Sequence, residues 1–507
     1  MLELASLIAR QARYRPESTA VVYAEQRLSW REFGERVAKV GNLLRARGIG
    51  RGDRVATAAG NSLELLLVYW AVPSIGATLV PLSPLLLAPG LASLLLGAQV
   101  SCLIAEQALL PVLQQIRDQL PPQLLLIDGA SGDYPDLRAL SAGQSVILEP
   151  VPCAPDELYN IMYTSGTTGE PKGIMHSHFV RAMYATLMAN ALRMTPESRT
   201  LHAGAIVFNG AFVTLMPSFY LGGRYILLRQ FDAETALATI EREAVTHVML
   251  VPAQIVALLA APGFDPRRLA SLQCILSLGA PLLKADKDRL HAALPGRLYE
   301  LYGLTEGLIS ILDREDALRK PGSVGVPPPF YELRILRDDG SSAAPGEIGE
   351  IVGCGPITMS GYYQRPDLTA LALRDGRVYS GDLGYLDEDG FLYLVDRKKD
   401  MIDSGGVKVY PRDIEEIAAR HPAVHEIAVF GVPHARWGET PMAAVILRPG
   451  AQISAEALCD WINAQVGARY QRLAQVVIVA DFPRSAAGKT LKRELRAPYW
   501  SASGRII

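Results

Sequence analysis

Tyr163-Thr164-Ser165-Gly166-Thr167-Thr168-Gly169-Glu170-Pro171-Lys172-Gly173 is the stretch on which the reading of the chain turns. Its eleven residues hold four aliphatic hydroxyls, three glycines, one proline and one lysine. Glycines let the backbone approach a bulky anion and present its N–H groups, and hydroxyls donate to phosphate oxygens. The lysine adds a point charge. By composition this is a loop that holds a polyphosphate. It is not the Walker form, because Lys172 follows Pro171 and is followed by glycine rather than Ser or Thr. Upstream, residues 156–163 read as a short strand feeding the loop, and downstream 179–192 are helical by pattern. His176 and His178 stand two apart, a spacing that does not share a helix face, so they read as packing or hydrogen-bonding residues rather than metal ligands.

Outward from the loop the chain alternates between strands and helices. Residues 28–33 open a helix with apolar residues at Val37, Val40, Leu43 and Leu44, Ser29 as its cap and Glu32 completing a capping box. Gly48 ends it and 54–56 begin a strand. Further on, 225–228, 247–252 and 272–278 are strands, with helices at 233–243 and 255–259. Strands spaced by helices of this length imply parallel sheets with helices outside. Between Leu65 and Ala105 there is no charged residue. Pro73, Pro81, Pro84 and Pro89, with Gly76 and Gly90, interrupt every candidate membrane span, so a buried strand–loop–helix unit is expected. Leu91, Leu94, Leu95 and Leu96 in one helix exceed what a one-sided surface helix needs. That helix is expected to pack against a second subunit, as in a homodimer, or to rest on a membrane surface.

From Gly322 the texture changes. Pro327-Pro328-Pro329 and the turn signals Asp339-Gly340 and Asp389-Gly390 punctuate short alternating strands such as 391–395, a β-rich subdomain. A charged junction, Asp396-Arg397-Lys398-Lys399-Asp400, precedes a smaller unit with helices at 411–420 and 454–466 and strands at 427–430 and 443–447. The expected fold is α/β. A large N-terminal domain (1–398, with the β-rich part at about 322–398) is followed by a small α+β C-terminal domain (399–507). At 507 residues the chain is too long for a single core. Its hydrophobic fraction of 49% and charged fraction of 20% suit a folded protein. Lys+Arg 50 against Asp+Glu 52, with no basic run, speaks against a nucleic-acid partner. Five scattered cysteines without C-x-x-C spacing, and an N-terminus without a signal-peptide pattern, point to a reducing cytoplasm.

The 163–173 string resembles the signature of the adenylate-forming superfamily, which holds acyl-CoA synthetases, nonribosomal adenylation domains and luciferases. Matching motifs run in the family's order from Tyr163 to Lys489. The resemblance gives Thr164, Ser165, Gly166, Thr167, Thr168, Gly169 and Lys172 to the ATP phosphates. Tyr299-Glu300-Leu301-Tyr302-Gly303-Leu304-Thr305-Glu306 resembles the second core motif. It implies Tyr302 and Gly303 along adenine, Thr305 at the α-phosphate, and Glu306, with Thr164, at Mg²⁺. A flat aromatic suits a purine face and a hard oxygen suits magnesium. Gly279-Ala280-Pro281 resembles the adenine-side loop. Asp382, in Tyr379-Ser380-Gly381-Asp382, takes the role of the aspartate that accepts from both ribose hydroxyls, and Arg397 that of the ribose-contacting arginine. Lys399 falls at the hinge about which the family's mobile C-terminal domain turns. Lys489, in 483–489, is the lysine that enters the site during adenylation. Gly405 and Gly406 resemble the loop lining the pantetheine channel, and Trp437 the position that stacks the CoA adenine.

One departure stands out. Where many acyl- and aryl-CoA ligases read P-x-x-H-x-x-G, this chain has Phe208 at the histidine position and Asn209 beside it. Asn209 lacks the charge with which amino-acid-activating domains grip an α-amino group, which disfavours an amino-acid substrate. With Ala280, Gly303 and Leu308 these residues are expected to shape the acid pocket. The resemblance implies an AMP-forming acid–thiol ligase. It would convert a fatty or aromatic carboxylic acid and MgATP to acyl-AMP and pyrophosphate, then transfer the acyl group to coenzyme A. A stand-alone adenylation enzyme that loads a carrier-protein phosphopantetheine shares these motifs. A luciferase-like oxygenase or an inactive binding protein is disfavoured by the intact Lys489, Thr164, Lys172 and Glu306.

Overall fold

A computed structural model describes residues 4–164, 171–405, 407–484 and 490–501. They divide into two compact units, Met1–Leu333 with Gly353–Tyr379, and Arg334–Val352 with Ser380–Ile507. In the first unit, the alternation of side chains along each strand builds the layers. Val21, Val55, Leu79, Tyr225 and Leu276 belong to one central core. Their strand neighbours face away: Val22, Ile226 and Ile275 enter a second cluster, and Ala56 and Val80 a third. Period-two alternation on strands buried on both sides therefore produces three apolar layers around two sheets.

One sheet has eight strands, Ile309–Leu312, Leu298–Gly303, Cys274–Leu278, His247–Leu250, Arg199–His202, Arg224–Leu227, Thr19–Tyr23 and Gln26–Ser29, in that order. The other has seven, Gly361–Tyr362, Lys172–Ser177, Leu158–Thr164, Thr78–Leu82, Arg54–Ala58, Cys102–Ala105 and Gln123–Leu126. Their central pairings are parallel, as expected. Their edges differ from expectation: Gln26–Ser29, Ile309–Leu312, Lys172–Ser177 and Gly361–Tyr362 pair antiparallel. At three of these edges the link is too short to make the long crossover that a parallel partner needs, whereas Gly361–Tyr362 returns to Lys172–Ser177 from far along the chain. Nor do all helices lie outside. Trp30–Ala46, Leu63–Ser74, His178–Ala191 and Phe212–Leu221 send Phe33, Trp70, Met188 and Phe219 into the core shared by both sheets. Ser29 caps the first of these in a capping box with Glu32.

The charge-free 65–105 stretch is spent on this packing. Leu63–Ser74 is buried on all sides, and Leu91, Leu94 and Leu95 of helix Ala88–Gly97 enter the third cluster. Leu96, with Leu85 and Leu87 ahead of the helix, faces out. No described helix is long and apolar enough to cross a membrane. All five cysteines are free.

A third sheet has five strands. Glu332–Leu336, Gly349–Cys354, Arg377–Leu386 and Leu373–Arg374 lie in that order, and Leu392–Arg397 pairs with Arg377–Leu386. This is the β-rich texture read from Gly322. Wholly within the second unit, Val407–Val409, Ile402–Ser404, Gly438–Leu447 and Val424–His434 form one sheet, with Val476–Ile478 parallel to Gly438–Leu447. Ile414, Leu458 and Ile462 cover one face of it, and Phe482 and Tyr499 pack on the other.

Candidate functional site

The strands on either side of the expected phosphate loop pair with each other. Leu158–Thr164 and Lys172–Ser177 pair antiparallel, with Thr164 directly opposite Lys172. The second strand was hidden in the sequence because Lys172–Ser177 runs straight into a helix. Ser165, Gly166, Thr167, Thr168 and Gly169 lie outside the described residues.

A second turn carries Tyr302, Gly303, Thr305 and Glu306 from the end of strand Leu298–Gly303. Gly307 closes it at φ +101°, and a Cβ there would collide with the Ile357 carbonyl, so only glycine fits. The Tyr362 hydroxyl donates to Glu306 Oε1 at 2.7 Å. The Lys172 ammonium stands 5.0 Å from the centre of the same Tyr362 ring, a cation–π distance. Tyr362 thus joins the two groups that the resemblance assigns to metal and phosphate, and no signal in the sequence marked it. Burial and the neighbouring Glu306 carboxylate push its phenol well above the usual range, so it stays a donor.

Thr305 is tied from behind. His176 Nε2 lies 2.8 Å from the Thr305 carbonyl, and its Nδ1 lies 3.0 Å from Arg181 Nη2. A carbonyl only accepts and a guanidinium only donates, so Nε2 carries the hydrogen and Nδ1 accepts. His176 is neutral, held well below the usual histidine range by burial and then by Arg181. Arg181 Nη2 also donates to Asn209 Oδ1 at 2.9 Å, and Nε to Asn160 Oδ1 at 2.7 Å. Asn209 Nδ2 donates to the Tyr184 hydroxyl at 3.0 Å. Arg181 was missed by sequence reasoning, although one arginine in the otherwise uncharged helix His178–Ala191 was a legible signal.

The other expected residues are found one by one along the fold. Gly279, Ala280 and Pro281 follow strand Cys274–Leu278 and are exposed, as is Gly303. Phe208 and Asn209 are half-buried, while Leu308 is fully buried. In the second unit Asp382 and Arg397 are cross-strand partners, with Arg397 Nε 3.3 Å from Asp382 Oδ1. Gly405, at φ +67°, donates its N–H to the Trp437 carbonyl at 2.7 Å, and a Cβ on it would come within 2.8 Å of the indole. Trp437 is 44% exposed. It carries Arg436 at 4.5 Å on its ring and lies near-parallel to His434, with centroids 6.4 Å apart. Lys399 is exposed between strands Leu392–Arg397 and Ile402–Ser404. Gly406 and Lys489 lie outside the described residues.

Four buried histidines set an acid limit. Burial lowers His176 and His247 and takes His178 and His202 down to about 4. Each is neutral when folded and titrates near its ordinary value when unfolded. Their contribution is therefore complete above about pH 6.5 and is lost as pH falls toward 4. At pH 5, His178 and His202 each cost about 2 kcal/mol. The urea midpoint, followed by tryptophan fluorescence, is expected to drop steeply between pH 7 and 5, with His178→Gln flattening the slope. A midpoint that stays level over that range contradicts this account.

Residues 8–363 match the AMP-binding enzyme family, and residues 413–489 match the AMP-binding enzyme C-terminal domain. A feruloyl-CoA synthase of Amycolatopsis is 36% identical, over 97% of this chain and 98% of that protein. A long-chain-fatty-acid–CoA ligase of Mycobacterium tuberculosis is 32% identical, over 98% and 99%. The ATP-bound crystal structure of MatB from Rhodopseudomonas palustris superimposes with a TM-score of 0.90 at 31% identity, covering 98% of this chain and 99% of that one. With the Thr164–Lys172 hairpin, the Tyr302–Glu306 turn and the C-terminal unit described, the chain belongs to the AMP-binding enzyme family and is an AMP-forming acid–CoA ligase.

Proposed function

We propose that the chain activates a fatty or aromatic carboxylic acid at a site built from the Thr164–Lys172 hairpin and the Thr305–Glu306 turn. The observation that carries this is the Glu306–Tyr362–Lys172 arrangement, which holds a carboxylate and an ammonium on one phenol. Thr164 and residues 165–169 cradle the triphosphate, and Lys172 neutralises it. Tyr302, Gly303 and 279–281 enclose adenine, and Asp382 and Arg397 take the ribose. The donor set also suits magnesium. Glu306 offers a hard carboxylate oxygen and Thr164 a hydroxyl, ligands of the kind that suit a cation shared with nucleotide phosphates. Held there, Mg²⁺ would offset charge on the phosphates.

The acid's carboxylate attacks the α-phosphorus, and pyrophosphate leaves. Lys489 enters to balance the charge that builds on phosphorus and on the leaving group. The 399–507 domain then turns about Lys399, withdrawing Lys489 and bringing Gly405 and Gly406 to the acyl-adenylate. The CoA thiol, its adenine against Trp437, attacks the acyl carbon and AMP departs. Positioning and water exclusion carry this step, because adenylate is a good leaving group. The test is CoA-dependent AMP release across a panel of aliphatic and aromatic acids, and release without CoA at the same rate would count against the reading. Asp382→Ala is expected to raise the KM for ATP at least tenfold with a smaller effect on the KM for the acid, since a buried carboxylate accepting from two hydroxyls contributes about 1.5–3 kcal/mol. An unchanged ATP KM would remove Asp382 from the ribose.

A further inference from the structure

Arg181 is fully buried, yet its three described hydrogen-bond acceptors, Asn160, His176 and Asn209, are all neutral. Its guanidinium carbon lies 4.0 Å from the centre of the Phe212 ring and 4.8 Å from that of Tyr184. No carboxylate among the described residues pairs with it, and Nη1 has no hydrogen-bond partner. Burial pushes its pKa down to about 10, so it remains a cation at neutral pH. A buried charge without a counter-ion is costly, and well-packed apolar side chains hold elements together at least as well. Architecture alone therefore does not account for an arginine here.

Its donors dictate the direction of the chain beyond it. Because a guanidinium only donates, Asn209 must turn its carbonyl oxygen to Arg181 and its amide nitrogen to the Tyr184 hydroxyl. That nitrogen uses one hydrogen on Tyr184 and retains a second. The Tyr184 hydroxyl, already accepting, retains its own proton, for which no acceptor is found among the described residues. Asn209 is half-buried, at the position expected to shape the acid pocket. The run Arg181 to Asn209 to Tyr184 thus ends in unspent donors backed by an unbalanced positive charge, and each bond polarises the next.

We propose that Arg181 positions Asn209 and Tyr184 to select carboxylic acids that carry a second electron-rich oxygen, a carboxylate or phenol, remote from the carboxyl group that is activated. This rests on the ligase reading above and names the class of acid it takes. An acid lacking that oxygen leaves the donors unpaired, which is where hydrogen-bonding sites discriminate most strongly.

The test uses the full-length protein and two pairs of acids, cinnamate with 4-hydroxycinnamate and hexanoate with hexanedioate, in CoA-dependent AMP release. Wild type is expected to prefer the oxygen-bearing member of at least one pair by tenfold or more in kcat/KM. Arg181→Met is expected to abolish that preference through the KM for the oxygen-bearing acid, leaving the KM for the oxygen-free member of the pair unchanged. Tyr184→Phe retains the ring beside the guanidinium and removes only the hydroxyl, and it is expected to lower the same preference at least threefold. Turnover of either member sustains the ligase reading. A flat preference in wild type, or a preference untouched in both variants, then overturns the Arg181 assignment alone.

Discussion

Replacing Lys489 by alanine is expected to slow acyl-adenylate formation by about 10²–10³, the loss seen when one donor to a developing charge is removed. Thioester formation from supplied acyl-adenylate and CoA is expected to proceed at the wild-type rate. The separation follows from the charges. In the first half-reaction, negative charge grows on phosphorus and pyrophosphate, and a cation there lowers the barrier. In the second, the attacked centre is an acyl carbon rather than phosphorus and no pyrophosphate leaves, so the site at which this cation acts plays no part. Acid-dependent exchange of labelled pyrophosphate into ATP reads the first step, and thioester release from synthetic acyl-AMP reads the second. Equal losses in both would show that Lys489 has a different role.

Glu306→Gln is expected to reduce adenylation by about 10²-fold or more and to raise the Mg²⁺ concentration needed for half-maximal exchange. Tyr362→Phe leaves the carboxylate in place and removes only the hydroxyl that holds Oε1 at 2.7 Å. Loss of such an orienting partner typically costs about 10–100-fold in metal affinity. The expected signature is a shifted Mg²⁺ requirement, with most of the rate recovered at high Mg²⁺. A Tyr362→Phe enzyme with wild-type Mg²⁺ dependence would mean that this hydrogen bond does no orienting. Because Tyr362 also lies under the Lys172 ammonium, its ring remains in the variant and separates the two effects.

How much of this was legible beforehand depended on the range of each interaction. The capping box of Ser29 and Glu32 acts over three residues, and the structure contains it. The helix read at 233–243 is Ala233–Glu243, because its start and apolar period are local. Lys172–Ser177 as an edge strand was not legible. Its partner is seen only once the chain has turned through the loop, and its own six residues have no clean alternation. The antiparallel edges and the helices between the sheets were invisible for the same reason: they are set by which strands meet, not by what any strand contains. Tyr362 lies 56 residues from Glu306 in the chain, and nothing near either of them announces the bond.

From order and composition alone came the phosphate loop, the run of motifs to Lys489, the α/β rhythm and the family resemblance. These are properties of short stretches, in which backbone freedom, hydroxyls and charge suffice to declare a chemistry. Tertiary structure alone decided that Thr164 faces Lys172 across a hairpin, that Tyr362 joins Glu306 to Lys172, and that His176 is a neutral Nε2–H tautomer. It also decided that Arg181 is buried beside Asn209 without a carboxylate to answer it. Hydrogen-bond direction, burial and unpaired charge exist only between residues that folding brings together, so no stretch read by itself can contain them.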